Sequence, residues 1–231
     1  MLEQILEYER KLFFWLNGSE YELFDHFLWL VSDKLVWVPW IICLLFVLFY
    51  KKKWKEAILI VVSIVLVITI ADQVASGVFK PFFMRFRPTH HPDFMEDVKI
   101  LFNYKGGRYG FASSHASNAF GIATFTALLF RNRFFTVTIC LFAILNAYSR
   151  IYLGVHFISD IVAGAIIGIL AGIISYRLYL IARKYILKVS VSQLKFSICN
   201  ERDVYILSWG FWGTLFVLLI LNNQLIILLS R

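Results

Sequence analysis

The sequence is poor in charge and nearly without cysteine. Only 16% of its 231 residues are charged, while 60% are apolar. Soluble domains carry nearer half apolar residues, so an ordinary water-soluble domain is excluded. The three cysteines stand apart, with Cys43 and Cys140 inside apolar runs and Cys199 in a polar linker. No spacing among them suggests a disulfide framework or a zinc site. Within apolar runs they act as small hydrophobes. No cleavable leader is expected either, because residues 1–16 hold Glu3, Glu7, Glu9, Arg10 and Lys11, which the apolar segment of a signal peptide does not tolerate. The net charge of +8 could suit nucleic acid or an anionic membrane surface. The positive charge falls between hydrophobic runs, so topology and lipid headgroups account for it and nucleic acid does not.

What is present is apolar and aromatic. There are 23 Phe and seven Trp, as expected where rings meet lipid and its interfaces. Apolar runs lie at 35–50, 57–79, 111–130, 134–148, 155–182 and 205–229. A membrane span needs roughly 20 apolar residues. The expected fold is therefore an all-α membrane bundle of about six spans, forming one domain over residues 1–231. Residues 1–16 alternate apolar and charged positions in an amphipathic pattern, and a helix lying in the interface is expected there. Residues 1–33 form an N-terminal segment, and 24–31 are apolar but brief, so their depth stays open.

Lys and Arg clusters orient the spans. Lys51–Lys53 with Lys55, Arg131 with Arg133, and Arg183 with Lys184 fall on one side if the runs alternate. By the positive-inside rule that side is cytoplasmic. Residues 80–110 and the turn around Arg150 then lie outside. The outer segment nevertheless holds Lys80, Arg85, Arg87, Lys99, Lys105 and Arg108. Either the inner clusters outvote a short loop, or these cations bind something anionic.

Three stretches at outer span ends carry chemistry. The first runs from Lys80 to Arg87 and Pro88. The second is Ala112, Ser113, Ser114 and His115. The third holds Ser149, Arg150, His156 and Asp160. His156 and Asp160, four apart at a helix start, share one face. A carboxylate fixes the imidazole tautomer and leaves the other nitrogen basic, and that nitrogen can attack phosphorus. The plain alternative is a buried pair that ties helices together. His115 could protonate a leaving oxygen and later activate water. Alternatively Ser113 or Ser114 caps a helix and His115 is incidental. Both readings are compatible, since a helix N-terminus also offers N–H groups to phosphate. Lys80, Arg87 and Arg150 suit a phosphate clamp, although each alone could be a snorkelling interfacial cation.

With these residues in view, the sequence resembles the type 2 phosphatidic acid phosphatase superfamily. That family's pattern is Lys-x6-Arg-Pro, then Pro-Ser-Gly-His, then Ser-Arg-x5-His-x3-Asp. The first and third motifs match at every defined position, from Lys80 to Asp160. The second matches at Ser113 and His115, with Ala112 in place of proline and Ser114 in place of glycine. The resemblance implies that Lys80, Arg87, Ser113, Ser114 and Arg150 bind phosphate, Ser114 through its backbone N–H. It implies His156 as nucleophile, His115 as general acid and Asp160 as the group that orients His156. It implies no metal and no cofactor, and inhibition by vanadate. The expected partner is a lipid phosphate in a bacterial inner membrane, with the site on the periplasmic face. Compact size favours undecaprenyl diphosphate, with lipid A phosphate and phosphatidylglycerol phosphate as alternatives. A phospholipid transporter is the non-enzymatic rival, and phosphate release separates the two. Oligomeric state is not legible.

Other residues are set aside. His90 and His91 with Asp93, Glu96 and Asp97 lack a standard metal-ligand spacing. Gly106, Gly107 and Gly110 read as a hinge or an ordinary turn. Gly164 and Gly168, four apart, are expected to allow close helix packing. Tyr104 and Tyr109 could line a lipid entry or simply sit at the interface.

Overall fold

The computed structural model describes all residues except Met1, Glu20, Lys51, Lys52, Phe196, Ser230 and Arg231. Two lysines of the first inner cluster thus lie outside the described residues. Among the described residues the chain is all-α, and its only extended pairing is an isolated antiparallel bridge between Phe86 and Tyr109. Ten α-helices run in order: α1 Leu2–Leu16, α2 Glu22–Ser32, α3 Val38–Phe49, α4 Trp54–Asp72, α5 Lys80–Phe83, α6 Ser114–Phe130, α7 Arg133–Tyr152, α8 Ile158–Tyr185, α9 Glu201–Ile220 and α10 Asn222–Leu229.

Among the described residues, four segments are long and apolar enough to cross a membrane: Trp54–Phe83, Arg133–Tyr152, Ile158–Tyr185 and Glu201–Ile220. A fifth span is reached only if α2 and the Leu35–Phe49 segment, bent by 75° at the break between them, count together. The remaining expected run becomes α6, whose 17 residues are enclosed by α4, α7 and α8. Its small residues explain its central place. Gly164, Gly168 and Gly172 of α8 face α6 so closely that a Cβ on Gly168 would stand 2.2 Å from the Ser117 carbonyl oxygen. The two helices thus approach nearly backbone to backbone, which is how small residues promote packing where lipid supplies no hydrophobic drive.

Several sequence boundaries shift. Residues 24–31 form the helix α2, with Phe27, Leu28, Leu30 and Val31 buried in the bundle, so the segment before residue 33 is two helices with different surroundings. On α1, Ile5, Tyr8, Leu12 and Trp15 are exposed while Phe13 is fully buried, the two-faced pattern the spacing anticipates. The α4 span continues through a π-helical stretch, Gln73–Phe79, into α5. Arg150 is not in a turn but in the last turn of α7. His156 precedes the first helical residue of α8, with Phe157 as N-cap.

Candidate active site

The sequence motifs meet at one end of the bundle. There α6 and α8 begin, while α7 and the α4–α5 span end. The opposite end holds Lys53, Arg131, Arg133, Arg183 and Lys184, and the Arg183–Glu56 ion pair of 2.6 Å ties α8 to α4 there.

His156 is the centre of the site and is 1% exposed. Its Nδ1 lies 3.2 Å from Asp160 Oδ2. A carboxylate only accepts, so Nδ1 carries the proton and Nε2 holds the lone pair. Nε2 accepts from Arg87 Nη1 at 3.0 Å. Burial, followed by the charges of Arg87, Arg150, Lys80 and Arg85, holds the imidazole well below its ordinary protonation range. It is therefore neutral, as an attacking nitrogen must be. Asp160 is fully buried. Its Oδ2 also accepts the Phe157 N–H at 3.1 Å, so one oxygen both caps α8 and orients His156.

The cations are held individually. Arg87 donates through Nε to the Tyr109 carbonyl at 3.1 Å and through Nη1 to the Val155 carbonyl at 3.0 Å. Arg150 donates through Nη2 to the Tyr104 hydroxyl at 2.8 Å and through Nη1 to the Ser32 hydroxyl. Its Nε is buried and meets no hydrogen-bond partner among the described residues. A buried donor of that kind is costly unless a ligand satisfies it. Lys80 Nζ donates to the Ser114 hydroxyl at 2.8 Å and to the Ser76 hydroxyl at 3.1 Å. The π-helical stretch supplies Ser76, and such turns are frequent at functional sites.

The second motif opens α6. Ser113 is fully buried, and its hydroxyl accepts the Ala116 N–H at 3.4 Å as the N-cap of α6. The expected cap is formed, which leaves the reading of His115 open. The Ser114 hydroxyl accepts from Lys80 and lies 2.6 Å from the Ser76 hydroxyl, a contact that glycine could not make and one that leaves the expected role of its backbone N–H untouched. His115 is half-buried and carries no shared bond of this kind. It stands at the junction of two cavities. One, of about 530 Å³, is lined by Lys34, Tyr104, His115 and Arg150. The other, of about 410 Å³, runs from His115 and Asn118 to Trp37, Trp40, Ile68 and Phe142. Both cavities share Lys34 and His115, and the second extends along a longer apolar wall, which suits a ligand with an anionic head and an apolar tail.

Some contributors were invisible in the sequence. Gly110 has a packing role the spacing did not show: a Cβ there would stand 2.8 Å from Asp160 Oδ2. Tyr104 lines the cavity beside His115, and its hydroxyl also holds Arg150. Ser32 has no signal at all. Ser76, four residues before Lys80, could have been found from helical spacing. Of the outer cations, Lys99 pairs with Asp25 at 3.0 Å, and Arg108 lies over the Phe86 and Tyr109 rings. Those two have structural ties rather than places in the cluster. His91 stacks on Phe94 with centroids 4.0 Å apart. Among the described residues no three His, Cys, Asp or Glu side chains gather in a metal-holding arrangement.

Comparison with known proteins identifies the family. The PAP2 superfamily model matches residues 61–184. A lipid A 4'-phosphatase of Porphyromonas gingivalis is 45% identical over 97% of this chain and 95% of its own. A lipid A 4'-phosphatase of Bacteroides thetaiotaomicron is 38% identical over 80% of this chain and 81% of its own. The crystal structure of Aquifex aeolicus LpxE superposes with a TM-score of 0.53 at 30% identity, covering 72% of this chain and 93% of that one.

Proposed function

The chain belongs to the PAP2 superfamily and is a membrane lipid phosphatase; from that premise we propose that it removes the 4'-phosphate of lipid A. The observation that carries the substrate is the 45% identity to a lipid A 4'-phosphatase along nearly the whole of both chains. Undecaprenyl diphosphate, which compact size favoured, gives way to its alternative. The motifs read phosphate and not the tail, and compactness is equally a property of the lipid A 4'-phosphatase that this chain covers to 95%.

The site geometry supports a two-step phosphoryl transfer. Arg87, Arg150, Lys80 and Ser114 hold the phosphate oxygens, and Ser113 fixes the helix start beside them. The His156 Nε2 lone pair attacks phosphorus while the bond from phosphorus to the lipid oxygen breaks. His115 gives that oxygen a proton and the dephosphorylated lipid departs. His115 then takes a proton from water, the hydroxide attacks the phosphohistidine, and the nitrogen–phosphorus bond breaks to release phosphate. Asp160 keeps the proton on Nδ1 throughout. Charge spread over the equatorial oxygens is stabilised by the cations. Because the site lies at the end opposite the inner Lys and Arg residues, the positive-inside rule supports a periplasmic site in a bacterial inner membrane.

The test is phosphate release by purified protein in detergent with chelator present. The substrates are lipid A, undecaprenyl diphosphate and phosphatidylglycerol phosphate, each also offered to His156→Ala. Release from lipid A that vanishes in the variant is the expected result. Preference for either other lipid would overturn the substrate, and activity surviving in His156→Ala would overturn the nucleophile.

A further inference from the structure

Behind the His156–Asp160 pair lies a second layer of charge that the superfamily motifs do not contain. Arg85 sits between the motif residues Lys80 and Arg87 but points the other way. Its Nη1 donates to Asp160 Oδ1 at 2.9 Å and to the Ser159 hydroxyl. Its Nη2 donates to Glu9 Oε2 at 2.7 Å. Glu9 belongs to α1, 76 residues away in sequence. Its other oxygen, Oε1, accepts the Ser159 N–H at 2.7 Å. A continuous chain therefore runs from α1 to the nucleophile: Glu9, Arg85, Asp160, His156.

Each link fixes a degree of freedom. Asp160 Oδ2 is held by the Phe157 N–H and by His156. Oδ1 is held by Arg85, so the carboxylate cannot rotate about its own bond. Arg85 is not confined by packing alone. Its side chain is 25% exposed, on the wall of a cavity of about 590 Å³ between α1 and residues 84–94. Two things keep the guanidinium in place, the Phe157 ring at 4.3 Å beneath it and the carboxylate of Glu9. Glu9 in turn is anchored to the first turn of α8 through the Ser159 N–H, a helix N-terminus where a carboxylate is favoured. The C-terminal half of α1 and the residue after it are fastened to the same end of the bundle. Phe13 packs on Phe157 with centroids 5.4 Å apart. Asn17 donates to the Tyr152 carbonyl at 2.9 Å and accepts the Lys99 N–H at 2.9 Å.

We propose that Glu9 and Arg85 are positioning residues for the phosphatase reaction, acting through Asp160 on His156, so that the amphipathic helix α1 is a working part of the active site. The proposal rests on the assignment of His156 as nucleophile. Neither residue touches the phosphate. Their contribution is the angle at which Nε2 meets phosphorus, and misplacement by an ångström can cost on the order of 10²-fold in rate. Binding of the phosphate by Arg87, Arg150 and Lys80 does not pass through them.

The experiment uses the full chain in detergent with lipid A as substrate. It compares Glu9→Gln, Glu9→Ala, Arg85→Lys and Arg85→Gln with wild type and with His156→Ala. For each it measures kcat, KM, thermal stability, and inhibition constants for vanadate and inorganic phosphate. Glu9→Ala should lower kcat about 10-fold and Arg85→Gln about 100-fold, with KM within about twofold. Glu9→Gln and Arg85→Lys should recover part of the loss, since each keeps a donor or acceptor in place. Vanadate bound to Nε2 mimics the transition state, so its inhibition constant should rise in step with the loss of kcat. That for phosphate should stay constant. A merely structural tie gives another pattern, in which the active fraction and stability fall and both inhibition constants stay put. That pattern, or kcat within twofold of wild type in Arg85→Gln, overturns the proposal while leaving the nucleophile intact. Activity persisting in His156→Ala overturns the nucleophile instead, and the positioning role with it.

Discussion

Gly110→Ala isolates the Asp160–His156 contact by adding one methyl group. The added Cβ would stand 2.8 Å from Asp160 Oδ2, 3.2 Å from Arg87 Cγ and 3.5 Å from His156 Nδ1. A carbon meets an oxygen comfortably at roughly 3.3–3.6 Å, so the carboxylate must retreat by about half an ångström. It cannot do so freely, because Oδ2 is already shared between the Phe157 N–H and His156. Overpacking of this size costs about 1–3 kcal/mol, which in a chain of this length lowers Tm by roughly 2–4 °C per kcal/mol. The displaced carboxylate carries the imidazole with it, and by the sensitivity of rate to geometry kcat should fall on the order of 10-fold or more. The assay is phosphate release together with a thermal melt. Gly107→Ala is the control, since a Cβ there meets nothing within 4 Å, and it should match wild type in both. If Gly110→Ala holds kcat within about threefold of wild type, the contact geometry does not govern the reaction and the reasoning fails.

Two further outcomes follow from the same site. Arg150→Lys keeps the charge but loses the fork that reaches Ser32 and Tyr104 and the Nε that meets no protein partner; phosphate release should fall about 100-fold, and a change under fivefold would mean that Arg150 only packs. The His156 ring should keep one unchanging neutral NMR signature between about pH 5 and 8, because burial and the four neighbouring cations hold its protonation below that window; a transition centred near the ordinary imidazole value would show that the site is wet.

How much of this was legible in the sequence depends on range. Local patterns did well. Hydrophobic runs marked the spans, and the four-residue spacing of His156 and Asp160 gave their contact even though His156 stands outside the helix. Glycines four apart gave the α6–α8 approach. The sequence reading went astray where a residue's role is set by a distant partner. The side-chain contacts of Ser114 were not visible, because its partners, Lys80 and Ser76, come from another helix. Ser32, Tyr104 and Glu9 belong to no motif, because what selects them is the guanidinium each one receives. Length misled too: α6 is one turn short of a typical span, and it is central because its small side chains let α8 approach.

The contact between Arg87 and His156 links binding to activation. Nε2 now accepts a hydrogen bond from Arg87 Nη1, and a nitrogen lone pair so engaged cannot attack. In the proposed reaction the phosphate oxygens compete for that guanidinium as charge-assisted acceptors, about twice as strong as a neutral ring nitrogen. Arrival of phosphate therefore draws Nη1 away and bares the lone pair in one event. The cost to the arginine is small, because its Nε bond to the Tyr109 carbonyl keeps the side chain anchored. A neutral lipid headgroup offers no such acceptor and would leave the nucleophile covered. The crowding of like charges around a neutral histidine is thus more than a tolerated strain: it makes an anion the group that completes the site.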